Sequence, residues 1–82
     1  MKNHEIATLF GRIADVLELK GDDSFRINSY RKAARVIADL TEDIEKLASE
    51  EKLTDIPGIG KGTAEKIVEY IKTGKMSKYE EV

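Results

Sequence analysis

Three glycines within five residues, at Gly58, Gly60 and Gly62, constrain this chain more than any other feature. In the stretch Ile56-Pro57-Gly58-Ile59-Gly60-Lys61-Gly62-Thr63-Ala64-Glu65-Lys66-Ile67, Pro57 restricts the residue before it and halts any helix arriving from Leu53. Gly58 and Gly60 lack Cβ, so the backbone is free to take positive φ and to lie against an anion without side-chain obstruction. Ile59, between them, is expected to turn inward and pin the loop. From Ala64 on, Ile67, Val68 and Ile71 recur at helical spacing, so the hairpin opens directly into a helix that closes at Thr73-Gly74. The amides of Gly60, Lys61 and Gly62, with Thr63 beyond them, then lie where unpaired N–H groups meet the positive end of a helix dipole, a place suited to a phosphate. A plain helical corner, with glycines serving only chain reversal, is the other interpretation. A nucleoside-triphosphate cradle is excluded, because the spacing before a Gly-Lys-Ser/Thr is missing and no strand precedes the loop.

The remainder reads as helix throughout. Ile6, Leu9, Phe10, Ile13, Val16 and Leu17 form one apolar stripe over about Asn3 to Leu19. Gly21 to Ser24 supplies a stop and several N-caps, so a second helix starts near Ser24 with Tyr30, Ala33, Ala34 and Ile37 inward. Thr41 is the expected cap of a short acidic helix whose first turn holds Glu42 and Asp43, with Ile44, Leu47 and Ala48 inward. Leu53 to Ile56 is expected to add one turn, and the tail from Met76 to Val82 another, packed through Met76 and Tyr79. No stretch alternates like a strand. The expectation is an all-α fold of four to five helices, without β-sheet, in one domain over residues 1–82.

Charge is unevenly spread. The net value of −2 conceals a sum of +3 over residues 20–35, another +3 over 57–78, and −5 over 39–55. If folding brings the basic blocks together, a negative polymer has one face to bind on a protein that is acidic overall, because exposed charges more than ~10 Å apart are screened; ordinary solvated helix surface is the alternative. Zero cysteines removes thiolate nucleophiles and Cys-based zinc sites, and the single His4 is expected to be exposed. No apolar run approaches the ~18 residues that span a bilayer, so no membrane partner and a cytoplasmic location are the default expectations. No long apolar surface demands a dimer, so a monomer is expected.

Ile56 to Lys66 resembles the helix-hairpin-helix consensus, and about His4 to Val82 resembles the amino-terminal domain of family X DNA polymerases, in their bacterial and archaeal form. Phe25-Arg26-Ile27-Asn28-Ser29-Tyr30-Arg31-Lys32-Ala33-Ala34, the hairpin, and Thr73-Gly74-Lys75 occur in the family's order. The resemblance implies a DNA-binding domain that engages the 5′-phosphate side of a gap and, in several relatives, removes a 5′-deoxyribose phosphate. It matches Lys66 to the amine that forms a Schiff base with the sugar aldehyde, with Glu65 beside it, Tyr30 to a supporting tyrosine, and Arg26 and Lys78 to phosphate contacts. Lysine neighbours such as Lys61 would favour a neutral amine at Lys66. It also implies a monovalent cation, sodium or potassium, held by the carbonyls of Thr54, Ile56 and Ile59 when DNA is present. Two positions depart from the pattern: Gly62 stands where the vertebrate enzyme carries a second phosphate-binding lysine, and Phe25 replaces a histidine. Lys61 is the nearest substitute in sequence for the missing cation.

Three functions are thus open. The first is sequence-independent DNA binding through Gly58, Ile59, Gly60, Lys61, Gly62, Thr63, Arg26, Lys75 and Lys78, since no recognition helix with base-reading side chains is evident. The second is a lyase using Lys66, against which stand a simple phosphate contact and a solvated lysine; for Tyr30, core packing stands against a functional hydroxyl. The third is a protein-docking role for the acidic helix. Polymerisation is not expected, as 82 residues leave no room for a nucleotidyl-transfer domain.

Overall fold

A computed structural model describes residues 1–81 and contains five α-helices and no strand among them. The helices are α1 (Asn3–Leu19), α2 (Ser24–Asp39), α3 (Ile44–Ser49), α4 (Lys61–Thr73) and α5 (Ser77–Glu81), with a 3-10 turn at Leu53–Asp55 between α3 and α4. The expected all-α architecture is observed. The terminal turn expected from Met76 appears as α5, with Met76 buried ahead of it; Val82 lies outside the described residues.

The apolar stripes meet as their spacing requires. Ile6, Phe10, Ile13 and Ala14 of α1 are completely buried, and Ala33 and Ile37 of α2 close over them. Burying each of the Ile and Phe side chains stabilises by roughly 1.5–3 kcal/mol, and each alanine methyl by less. The α2 stripe also includes buried Ile27, one turn before Tyr30, whereas Tyr30 and Ala34 are only half-buried, as is Val16 of α1. Because the α1–α2 link is only four residues long, the two helices fold back on each other as a helical hairpin. Arg31 of α2 reaches Asp15 at 3.0 Å and Glu18 at 2.6 Å on α1 along the exposed edge of this pair. Ile44, Leu47, Leu53, Ile59, Ile67 and Met76 complete the same core from the second half of the chain.

The start of α3 differs from the sequence expectation. Asp43, not Thr41, is the cap: its carboxylate accepts the Glu45 amide at 3.0 Å, and the helix begins at Ile44. The reason is Asn3. This residue, 6% exposed, donates from Nδ2 to the Glu42 carbonyl at 2.7 Å, while its Oδ1 accepts the Ile44 amide at 2.9 Å. One side chain thereby satisfies both a donor and an acceptor of the α3 entry and ties it to the start of α1, about 40 residues away. Glu51, just beyond α3, adopts φ of +57°, with the Lys52 amide bonding back to the Leu47 carbonyl at 2.9 Å. This is the left-handed closure usually given to glycine.

Asn3→Ala leaves the Glu42 carbonyl and the Ile44 amide without their buried partner. A loss of about 1–3 kcal/mol in unfolding free energy is expected from urea denaturation.

Candidate nucleic-acid interface

The 3-10 turn ends at extended Ile56, and the chain then reverses over Pro57 and Gly58. The Ile59 amide donates to the Ile56 carbonyl at 3.0 Å, which closes the turn, and the Ile59 side chain is 4% exposed. Gly58 has φ of +95°, and a Cβ there would lie 3.2 Å from both Lys32 Cε and Val36 Cγ2. Both the conformation and the close approach of α2 therefore demand glycine at 58. Gly60 does not meet the same expectation: with φ of −88° and ψ of 179° it is ordinary extended backbone, and a Cβ would project into open space.

The hairpin enters α4 with no side-chain cap at Gly60. The first helical bond is Ala64 N–H to the Gly60 carbonyl at 2.9 Å. Consequently the amides of Gly60, Lys61, Gly62 and Thr63 have no acceptor among the described residues. Residues 60–62 are exposed and Thr63 half-buried, so these donors share one solvent-facing helix mouth with the positive end of the dipole. The Ile59 amide is not among them, so the contribution of Ile59 to this mouth is to anchor it.

Two clefts flank α4 on the side of Lys66. One runs between α2 and α4 and is lined by Phe25, Arg26 and Tyr30 opposite Gly60, Gly62, Thr63 and Lys66. Lys66 Nζ stands 5.9 Å from the centroid of the Tyr30 ring, and that ring also stacks on Phe10 with centroids 6.0 Å apart and planes at 29°. Tyr30 thus joins the core and supports a lysine, an arrangement worth about 0.5–1 kcal/mol where solvent is near. The second cleft, between α4 and α5, is lined by Gly62, Glu65, Lys66, Glu69, Ser77 and Lys78. Lys66 belongs to both.

Glu69 is a member of this site that the sequence did not announce. Its carboxylate accepts the Ser77 amide at 3.0 Å and the Ser77 hydroxyl, anchoring the start of α5 and so holding Lys78 beside the cleft. The Ser77 hydroxyl and then the Ser77 amide hold the Glu69 carboxyl below the usual range, with the Lys66 charge adding to the effect.

The basic blocks combine only in part. Arg31 is spent on α1, where its hydrogen bond to Asp15, opposed by desolvation, holds the guanidinium firmly protonated. Arg26 pairs with Asp22 at 3.3 Å but remains at the α2–α4 cleft. Lys61 is separated from Lys66: it faces α3 and the 3-10 turn, in a third cleft with Ala48, Leu53, Val68 and Lys72. It therefore adds charge at the helix mouth without lining either cleft that holds Lys66. Lys75 follows the opposite end of α4, about 20 Å along the axis from the hairpin. There Gly74, in the left-handed conformation, closes the helix as its sequence suggests.

The helix-hairpin-helix domain model matches residues 1–76. The chain is similar to the DNA polymerase/3'-5' exonuclease PolX of Bacillus subtilis, with 41% identity over 80 residues, 98% of this chain. It is also similar to DNA polymerase lambda of Arabidopsis thaliana, with 38% identity over 78 residues, 95% of this chain. In each case the chain spans 14% of the relative's length.

The two hairpin glycines are expected to respond in opposite directions. Gly58→Ala should cost about 1–3 kcal/mol through the left-handed φ and the contact with Val36. Gly60→Ser should raise stability by roughly a few tenths of a kcal/mol, because a serine oxygen can cap the free amides of the first turn. Urea midpoints of the two variants check both.

Proposed function

The chain belongs to the helix-hairpin-helix domain family, in the branch represented at the amino-terminal end of family X DNA polymerases, and we propose that it binds DNA through the phosphate backbone at the 5′-phosphate side of a gap. The observation that carries this proposal is the set of four unpartnered amides, from Gly60 to Thr63, at the mouth of α4. A phosphate oxygen seated there exchanges its hydration for backbone donors already held in place by buried Ile59, so little ordering is required on binding. Lys61 at the same mouth, with Arg26, Lys66 and Lys78 along the clefts, supplies positive charge without any pattern of base-edge donors.

The carbonyls around the turn fit a monovalent cation such as sodium or potassium. Those of Thr54 and Ile59 accept no hydrogen bond among the described residues, and that of Ile56 accepts only one, from Ile59. Bound there by the Thr54, Ile56 and Ile59 carbonyls, the ion would supply positive charge to offset the negative charge of a phosphate.

Lys66 supports a second, catalytic proposal, 5′-deoxyribose phosphate lyase activity. Its amine stands between two clefts that both reach Gly62 at the helix mouth, so a 5′-terminal sugar attached to the seated strand lies within its range. The neutral amine adds to the C1′ aldehyde and water leaves, giving a protonated imine. Loss of a C2′ proton to a base then expels the 3′-oxygen with the downstream DNA phosphate, and water later releases the sugar from Lys66. Tyr30 holds the amine near its ring face, and Glu65 is the carboxylate next to it on the wall of the α4–α5 cleft.

Fluorescence anisotropy on a labelled gapped duplex tests binding. Affinity should fall steeply with salt as counterions are released. Lys61→Glu should weaken it at least tenfold, and Gly60→Ser should weaken it despite being the more stable protein. Equal affinity in both variants would refute the hairpin as the binding element. For the lyase proposal, borohydride should trap a covalent adduct on an incised abasic duplex, and Lys66→Ala should abolish it while the duplex is still bound; an adduct of equal yield in Lys66→Ala sinks the catalytic role.

A further inference from the structure

Lys32 of α2 is packed on the turn of the hairpin: its Cε and Cδ lie 3.2 and 3.8 Å from the position a Cβ would take on Gly58. Its ammonium is one bond beyond Cε, and the residue is exposed. Unlike Arg26 and Arg31, Lys32 makes no ion pair among the described residues. An aliphatic stem held against the backbone of a tight turn with its charge left in water restricts where that charge can go. Gly58 permits this, since any side chain at 58 would push the stem away. On the opposite flank, Lys61 stands at the start of α4 facing α3.

We propose that Lys32 is a phosphate-contacting residue, and that the bound strand crosses the hairpin from the α4 mouth onto α2, with one phosphate at the free amides and a neighbouring one at the Lys32 ammonium. This rests on the DNA-binding proposal and adds to it a further cationic contact and a direction for the strand. The physical requirement is modest: a cation next to a backbone phosphate replaces a condensed counterion, and each such replacement appears in the salt dependence of binding. Arg35, also on α2, borders a groove with His4, Thr8 and Gly11 of α1 instead, so the path over α2 is specific to the Lys32 edge.

The test is a salt series of anisotropy titrations on the same 5′-phosphorylated gapped duplex with wild type, Lys32→Met, Lys32→Arg and Lys61→Glu. Methionine keeps an unbranched apolar stem against Gly58 and removes the charge. Lys32→Met is expected to unfold at the wild-type urea midpoint, to bind three- to tenfold more weakly at low salt, and to show a log–log salt slope shallower by about one. Lys32→Arg should restore the wild-type slope. If Lys61→Glu weakens binding while Lys32→Met retains wild-type affinity and slope, the Lys32 contact is overturned and the hairpin proposal stands. If the wild type itself does not bind at low salt, both fall together.

Discussion

Burial of Ile59 is the constraint on which the functional half of this molecule depends. The side chain enters the core between Gly58, whose φ of +95° turns the chain, and Gly60, which is extended. With Ile59 committed inward and its amide committed to the Ile56 carbonyl, the chain has to emerge at Gly60, and the next four N–H groups face out of the mouth of α4 with no helical acceptor before them. A free helix end in water is commonplace; this one is held to a rigid base. That difference decides how much ordering a bound anion would have to impose.

The base itself is the α1–α2 hairpin, and its exposed chemistry is divided by the same packing. Arg31 bridges to Asp15 and Glu18 and serves cohesion, whereas Lys32, the next residue along α2, is carried round to the hairpin. Glu51, just after α3, shares the cleft that Lys61 faces, whereas Arg26, Lys66 and Lys78 line clefts to which neither α3 nor the turn after it contributes a residue. A net negative protein can present a cationic mouth under these conditions, because charges separated by more than ~10 Å contribute little to each other in physiological salt. Glu69 shows the finer version of this division: a carboxylate within the cationic site is occupied by Ser77, and the helix that it anchors brings Lys78 to the cleft.

Much of this was legible along the chain. Helical spacing located all five helices and the 3-10 turn, and Pro57 and Gly74 marked the bounds of the hairpin and α4. Some of what was missed was also within reach: residues five apart on a helix differ by about 140° around its axis, so Lys61 and Lys66 were bound to face different neighbours. Other features had no local signal. An asparagine at position 3 is an unremarkable helix residue until α3 is seen to start against it, where its two hydrogen bonds fix the chain on either side of Asp43, the cap in place of Thr41. Glu69 and Ser77 are eight residues apart across a helix terminus, too far for any capping pattern to connect.

The sequence alone determined the helical periods, the place where the chain must reverse, and the absence of thiol chemistry, because these follow from side-chain spacing, from a proline and glycines, and from composition. It also determined that a helix begins where no side chain is available to cap it. Only the tertiary structure decided which cations share a face, that Gly58 is required and Gly60 is conformationally optional, and that Tyr30 serves the core and Lys66 together. Those outcomes depend on the rotation and approach of one helix against another, which the burial of Phe10, Ile37, Ile59 and Ile67 in a single core sets and which no local pattern encodes.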